Sequence, residues 1–239
     1  TNEVVVIWSR SGDAEYGPLR IQGSSNYVAG SSVFSRNSPV DGANAINVKA
    51  SYIALKDLVV RNSYRGISLE TNVNVSMEMI QARNNQYGLK ASASIGVSAK
   101  NIRFWSNELG GVELVNTRTT TVENCAFVDN KGFAISVYDT VQDVFQNNIY
   151  VMSSNYPVYL ASVSAIGAAF IDYNLYELKE RATIHASYND LKSWQLARAK
   201  DYRSNITNAM LANAGAGDFH LKSQYGRYVD GAGWTTDTE

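Results

Sequence analysis

The sequence has little cysteine, proline, histidine and charge. Cys125 is the only cysteine among 239 residues, so an internal disulfide is excluded, and we expect this thiol to be buried in the core. The two histidines and the single cysteine show no zinc-ligand spacing, and proline occurs only three times. Lys and Arg number 21 against 22 Asp and Glu, so the net charge of −1 gives no general attraction to nucleic acid. No apolar run approaches the roughly 18 residues of a membrane span. Nucleic acid and a membrane span are therefore not predicted.

The dominant feature is an internal repeat of 21 to 23 residues in the middle of the chain. Each copy has a small residue followed by an apolar, a polar and an apolar residue. The first apolar residue recurs at Ile46, Ile67, Leu89, Val112 and Ile135, and again at Val158. A repeat of this length indicates one supersecondary unit stacked on itself.

Two further segments of each copy predict short strands, because apolar residues two positions apart lie on one side of a strand. The clearer segment contains the pairs Leu58/Val60, Ile80/Ala82, Ile102/Phe104, Cys125/Phe127 and Ile149/Val151. The weaker one contains Ile53/Leu55, Val73/Val75 and Ile95/Val97. Each copy thus predicts three strands and no helix, which close one rung of a parallel solenoid. Leucine-rich and hexapeptide repeats are disfavoured, because their spacing is absent.

One turn of each rung carries a polar residue five positions before the first apolar residue. These residues are Asp41, Asn62, Asn84, Asn107 and Asn130. Asn and Asp tolerate left-handed backbone and bond their own chain. We therefore predict an asparagine ladder, in which side-chain amides join successive rungs at this corner.

The segment from Tyr52 to Asn62, followed by Gly66-Ile67, resembles the recurring rung of right-handed parallel β-helix proteins of the pectate-lyase-like superfamily. Residues 124–130 are similar to the same rung. The resemblance implies an all-β fold, a right-handed parallel β-helix of about six to eight rungs with three short strands each. We assign residues 1–171 to the repeats and 172–239 to a C-terminal capping segment, within a single domain.

The C-terminal segment contains a predicted helix between residues 189 and 199, because Leu191, Trp194 and Leu196 have near-helical spacing. Ser187 or Asn189 is the predicted N-cap. We expect the helix to cover the apolar C-terminal end of the solenoid, and Phe219 and Leu221 to belong to a returning strand.

Strand alternation confines candidate functional residues to outward positions and loops. The first outward row contains Asn47, Ser68, Lys90, Glu113, Ser136 and Tyr159. The second outward row contains Lys49, Glu70, Ser92, Val115, Tyr138 and Ala161. Since neighbouring strands lie about 4.8 Å apart, Lys90 and Glu113 are predicted neighbours.

In the carbohydrate enzymes that the resemblance includes, strands of this kind form the substrate groove. A lyase needs a base for the proton beside a uronate carboxylate and a cation that neutralises this carboxylate. The resemblance therefore makes Lys90, Glu113, Tyr138 and Glu70 the candidate catalytic residues. The candidate substrate-binding residues are Arg65, Tyr87, Lys49 and Tyr159. The simpler interpretation is a solvated row with a cross-strand Lys–Glu pair. Arg61, Arg65 and Arg83 near one corner form a further candidate site for an anionic chain.

Two functional hypotheses remain open. The first is a carbohydrate-directed domain similar to polysaccharide lyases, which binds or cleaves a polymeric glycan of the uronate class; an enzyme of this kind would be a lyase or a glycoside hydrolase. The alternative is a non-catalytic structural or adhesive domain of a large cell-surface or secreted protein. The Asn-Thr-Asp and Asp-Pro-His-Asp motifs of related hydrolases and epimerases are absent, which favours the alternative. No cofactor is predicted, because the aspartates that could bind calcium are scattered over the corners.

The resemblance also implies a bacterial protein that is secreted or attached to the cell surface. The sequence shows no signal peptide, and residues 4–8 already form a strand-like segment. We therefore expect a fragment of a longer protein. The sequence leaves the oligomeric state open.

Overall fold

The computed structural model describes residues 5–7, 12–24, 32–161, 169–185, 187–222, 227–229 and 233–236. In these ranges the chain winds into a solenoid of three parallel sheets. Each rung adds one strand to each sheet, so the predicted β-helix with three short strands per rung is confirmed. Of the predicted strand at residues 4–8, residues 5–7 form the first strand, and Val4 and Trp8 lie outside the described residues.

In the described residues, the first sheet has the strands Val5–Ile7, Asn44–Val48, Arg65–Glu70, Tyr87–Ser92, Gly110–Val115, Phe133–Tyr138 and Val158–Leu160. The second sheet has Leu19–Gln22, Ile53–Lys56, Val73–Glu78, Ile95–Lys100, Thr121–Glu123, Val144–Gln146 and Phe170–Asp172. The third sheet has Val33–Ser38, Val59–Ser63, Gln81–Arg83, Arg103–Trp105, Ala126–Val128, Ile149–Met152, Leu175–Leu178 and Asn205–Ile206. Two short antiparallel pairs follow, Leu211–Asn213 with Asp218–Leu221 and Arg227–Val229 with Gly233–Thr235.

The interior is a continuous apolar column. On the first sheet, the inward side chains predicted by the repeat are buried, with Ile67, Leu89 and Val112 at most 1% exposed. On the third sheet, Phe104, Phe127, Tyr150 and Tyr176 stack along the column with ring centroids 5.0–5.1 Å apart. Burial of each such side chain stabilises the fold by about 1.5–3 kcal/mol. Cys125 is buried in this column as predicted, and burial raises the pKa of its thiol to about 12.

The predicted alignment of the second sheet is wrong by two residues after its Ile53–Lys56 strand. Ile53 pairs with Val75 and Leu55 with Met77, so the inward pair of the next strand is Val75/Met77. Ile95, predicted to face inward, is 45% exposed. These strands have six residues where the Ile53–Lys56 strand has four, and the extra residues at their start carried the apolar signal that misled the alignment.

The asparagine ladder exists, but three of its predicted members, Asp41, Asn62 and Asn84, are wrong. Asp41 is exposed and forms an ion pair with Arg65 instead. The Asn107 backbone N–H donates to Asn130 Oδ1 at 3.2 Å, and that of Asn85 donates to Asn107 Oδ1 at 3.1 Å. Ser63 completes the ladder on the preceding rung. Asn62 and Asn84 are instead exposed, with φ of 53° and 54°, because they supply the left-handed residue that opens the turn.

The C-terminal segment packs against the solenoid at two places. The Leu191–Arg198 helix buries Trp194 in the main core, with its indole Nε1 donating to Asp201 Oδ2 at 2.8 Å. The N-cap is Asp190, which accepts from the Ser193 N–H, so the predicted Ser187 or Asn189 is wrong. The predicted returning strand is confirmed as Asp218–Leu221. Phe219 and Ala209 cover part of the outer face of the third sheet, where they form a second apolar cluster.

Candidate functional site

The outer face of the first sheet brings four polar side chains of the predicted site together. Strand pairing places Lys90 directly beside Glu113, and Val115 beside Tyr138, as the outward rows predict. Tyr87 begins the strand that carries Lys90. We call these four residues, Tyr87, Lys90, Glu113 and Tyr138, the Glu113 cluster.

Glu113 is the most buried member of the cluster. Its side chain is 10% exposed, against 25% for Lys90, whose Nζ forms an ion pair with Glu113 Oε2. The Lys90 ammonium also lies 5.4 Å from the centroid of the Tyr87 ring. A carboxylate withdrawn from water in this way is retained only with compensating partners, and the ammonium group supplies one.

Gly110 explains how Tyr87 reaches Glu113 from a neighbouring strand. Gly110 pairs with Tyr87 on one side and with Phe133 on the other, in a position where both neighbours carry a ring. A Cβ at Gly110 would lie 3.8 Å from Tyr87 Cδ1 and 3.0 Å from the Phe133 carbonyl oxygen. A Cβ would thus be in ordinary contact with the Tyr87 ring, and a longer side chain would compete with this ring for space.

Both tyrosines of the cluster are held in the neutral form. Burial raises the pKa of Tyr87, and the charge of Glu113 and its hydrogen-bonding contact with Tyr87 raise it further. Burial and the charge of Glu113 also raise the pKa of Tyr138. At neutral pH the two hydroxyl groups are therefore hydrogen-bond and proton donors, whereas the carboxylate of Glu113 is the acceptor.

Aromatic rings extend the face beyond the cluster. Phe133 stacks on Tyr159 with centroids 4.6 Å apart and on Tyr156 at 5.7 Å. Tyr138 lies 6.0 Å from Tyr159, which joins this group to the Glu113 cluster. We call Phe133, Tyr156 and Tyr159 the aromatic strip. Its half-buried rings offer surfaces on which apolar faces of a ligand can stack.

The other predicted site residues lie on the same sheet in separate ion pairs. Lys49 Nζ lies 3.2 Å from Glu70 Oε2, and both side chains are 39% exposed. Arg65 is paired with Asp41 at 2.8 Å and lies over the Tyr64 ring. The structure therefore gives Lys49, Glu70 and Arg65 ion-pair partners outside the Glu113 cluster, although Arg65 lies beside Tyr87 in the sheet.

Sequence reasoning missed Gly110 and Phe133. The signal for both was present, because Tyr87, Gly110 and Phe133 occupy equivalent positions of successive repeats. This third outward row of the repeat contains two rings separated by a residue without a side chain.

Two general searches complete the description of the site. Among the described residues, no group of three or more His, Cys, Asp or Glu is placed to hold a metal ion. No helix in the described ranges combines the length and apolar character needed to cross a membrane.

Comparison with known proteins agrees with the architecture. Residues 19–171 match the family model described as "Right handed beta helix region", which covers more than half of the chain. No curated protein matches the sequence. The match supports the handedness that the sequence resemblance implied.

Two solved structures are similar to this chain. The A-module of the mannuronan C-5 epimerase AlgE6 from Azotobacter vinelandii superposes with a TM-score of 0.55 and 12% identity, over 69% of this chain and 47% of the module. An alginate lyase from Paenibacillus sp. strain FPU-7 gives a TM-score of 0.44 and 16% identity, over 74% of each chain. The chain spans about half the length of the epimerase module. At this identity the likeness to the module shows the fold.

Proposed function

We propose that this chain, which belongs to the right-handed β-helix family, binds a polymeric glycan along the outer face of its first sheet. The observation that carries the proposal is the Glu113 cluster, where a buried carboxylate meets an ammonium group and two neutral tyrosines. The aromatic strip continues this surface. Sugar rings stack on such side chains, and hydroxyl groups of a glycan bond to the polar ones.

The arrangement suits a uronate-containing glycan. Glu113 is the base that takes the proton from the carbon beside the uronate carboxylate, and Lys90 stabilises the negative charge that develops there. Tyr138 donates its proton to the leaving glycosidic oxygen as the carbon–oxygen bond breaks and a carbon–carbon double bond forms. The mannuronan C-5 epimerase that shares the fold acts on a polyuronate, which supports this substrate class.

The test measures turnover of a panel of uronate polymers. Cleavage produces an unsaturated uronate, which is followed by its ultraviolet absorbance. In Glu113→Gln we expect turnover to fall by about 100-fold or more, the usual range for loss of a general base. Glu78→Gln is the matched control, because Glu78 is paired with Lys56 on the second sheet, away from the site. Wild-type turnover that persists in Glu113→Gln would refute the catalytic role.

The alternative, a structural or adhesive domain, is favoured by one observation. The charged groups of this face are paired within the molecule, Lys90 with Glu113, Lys49 with Glu70 and Arg65 with Asp41. Such pairs tie successive rungs together without any ligand. If the wild-type chain neither binds nor cleaves any polymer of the panel, the same face has this rung-joining role.

A further inference from the structure

Two arginines lie side by side on the outer face of the third sheet. Arg61 and Arg83 are paired in register on adjacent parallel strands, so their backbones are about 4.8 Å apart. The predicted group of three arginines is therefore divided, because Arg65 belongs to the first sheet and is paired with Asp41. Arg61 and Arg83 remain as a pair of like charges.

This pair has no counter-charge within the described part of the chain. No described acidic side chain forms an ion pair with either guanidinium, and the buried Nε atoms of both have no hydrogen-bond partner there. Burial lowers the pKa of Arg83, and the charge of Arg61 lowers it further. Like charges on adjacent strands are unfavourable, so an anion between them would relieve the repulsion.

An aromatic ring and a polar cleft surround the pair. On one side, the Arg83 guanidinium lies 5.2 Å from the ring centroid of Trp105. On the other side, the residues that directly follow the arginines, Asn62 and Asn84, line a cleft of about 350 Å³ together with Gln86 and Ser63. Amides and hydroxyl groups in this cleft can bond to sugar hydroxyl groups, whereas the arginines take the acid group.

We propose that Arg61 and Arg83 form an anion subsite for an acidic glycan on the third sheet, with the uronate carboxylate bridging the two guanidinium groups. The amide-lined cleft holds the neighbouring hydroxyl groups, and Trp105 borders the subsite. The subsite lies on a different sheet from the Glu113 cluster and does not depend on catalysis there.

The experiment measures binding of uronate tetrasaccharides (galacturonate, mannuronate and guluronate) to the whole chain, by tryptophan fluorescence at low salt. Methyl esters of the same tetrasaccharides and sodium sulfate are the comparison ligands. The test variant is R61Q/R83Q. Its matched control is R20Q/R118Q, which removes two exposed arginines elsewhere. Trp105→Phe identifies the reporting indole, and thermal melting confirms that each variant is folded.

For the preferred uronate we expect about a tenfold or greater loss of affinity in R61Q/R83Q, as for a charged hydrogen-bond pair, and less than about twofold in the control. The methyl ester should bind the wild type with a similarly reduced affinity, because it lacks the carboxylate charge. The fluorescence change that Trp105→Phe abolishes reports the third sheet, because the Arg83 guanidinium lies beside the Trp105 ring, whereas turnover of uronate polymers reports the Glu113 cluster. Failure of the proposed catalysis is therefore distinguishable from failure of the subsite.

Three outcomes would overturn the inference. They are undiminished binding to R61Q/R83Q, equally tight binding of the methyl ester, and the absence of binding by any uronate. Sulfate that binds as tightly as the tetrasaccharide would replace the glycan subsite with a site for small oxyanions alone.

Discussion

The Lys90–Glu113 ion pair should contribute little net stability, although removal of one partner should be costly. The reason is burial, since a carboxylate that is 10% exposed has lost most of its hydration. Attraction between the two charges offsets this loss only while both are present. The perturbations are Lys90→Met, which breaks the pair, and K90M/E113L, which replaces it with apolar side chains of similar volume.

The structure sets the magnitudes. Removal of one partner from a buried pair costs about 3–5 kcal/mol, and since Lys90 is 25% exposed we expect about 2–4 kcal/mol for Lys90→Met. The free energy of unfolding of the double variant should lie within about 1 kcal/mol of the wild-type value or above it. Lys49→Met is the internal control, because Lys49 and Glu70 form a pair on the same sheet with both side chains 39% exposed, which predicts about 0.2–1 kcal/mol.

The assay is urea denaturation followed by circular dichroism, with the free energy of unfolding taken from each transition. A cost for Lys90→Met no larger than that for Lys49→Met would refute the argument from burial. A K90M/E113L variant as unstable as Lys90→Met would show that the pair itself stabilises the fold. If the double variant is stable, its turnover on uronate polymers reports the chemistry of the cluster with the fold intact.

Two other measurements test the ladder and the protonation of the site. Asn107→Ala should lower the free energy of unfolding in urea by about 3–5 kcal/mol, because it removes a 2.9 Å bond to Asn130 and leaves further buried groups unpaired. Asn84→Gly, at an exposed left-handed position, should cost less than about 0.5 kcal/mol. Equal costs for the two variants would contradict the observed ladder. Glu113→Gln should lower the pKa of Tyr87, since the negative charge is lost while burial persists, and ring-labelled tyrosine NMR would measure it. A raised folded-state pKa of Tyr87 contributes stability that is lost as the pH rises past about 10. Glu113→Gln should therefore lose less stability than the wild type above this pH. An unchanged pKa of Tyr87 would disprove its contact with Glu113.

The core and the outward rows of the first sheet were predictable because strand periodicity leaves no freedom there. One residue of slip would move Ile67 and Leu89 to the surface. The constraint is weaker at turns. Asn62 and Asn84 have the same residue type as the true ladder members, and their backbone conformation, which differs, is not visible in a sequence.

The second apolar cluster was beyond sequence reasoning for a different reason. The prediction that Ile149 and Val151 face inward is wrong by one residue, because Tyr150 pairs with the inward Phe127. Val128 and Val151 instead face outward under the C-terminal segment. Only the path of residues 209–219 over the third sheet turns this outer face into a core. The position of Tyr87 over Glu113 is a similar case, since it depends on packing between strands.

Gly110 shows how a repeat protein can build a local site from an omission. In the row of Arg65, Tyr87, Gly110 and Phe133, each other member has a long or aromatic side chain. A long or aromatic side chain at position 110 would compete with the Tyr87 ring for space, because a Cβ there would already lie 3.8 Å from Tyr87 Cδ1. A displaced Tyr87 ring would no longer hold its hydroxyl beside Glu113, and burial of that carboxylate would become costlier. Gly110 is therefore a departure from the regular row, and it lies beside the Glu113 cluster in which we propose the glycan site.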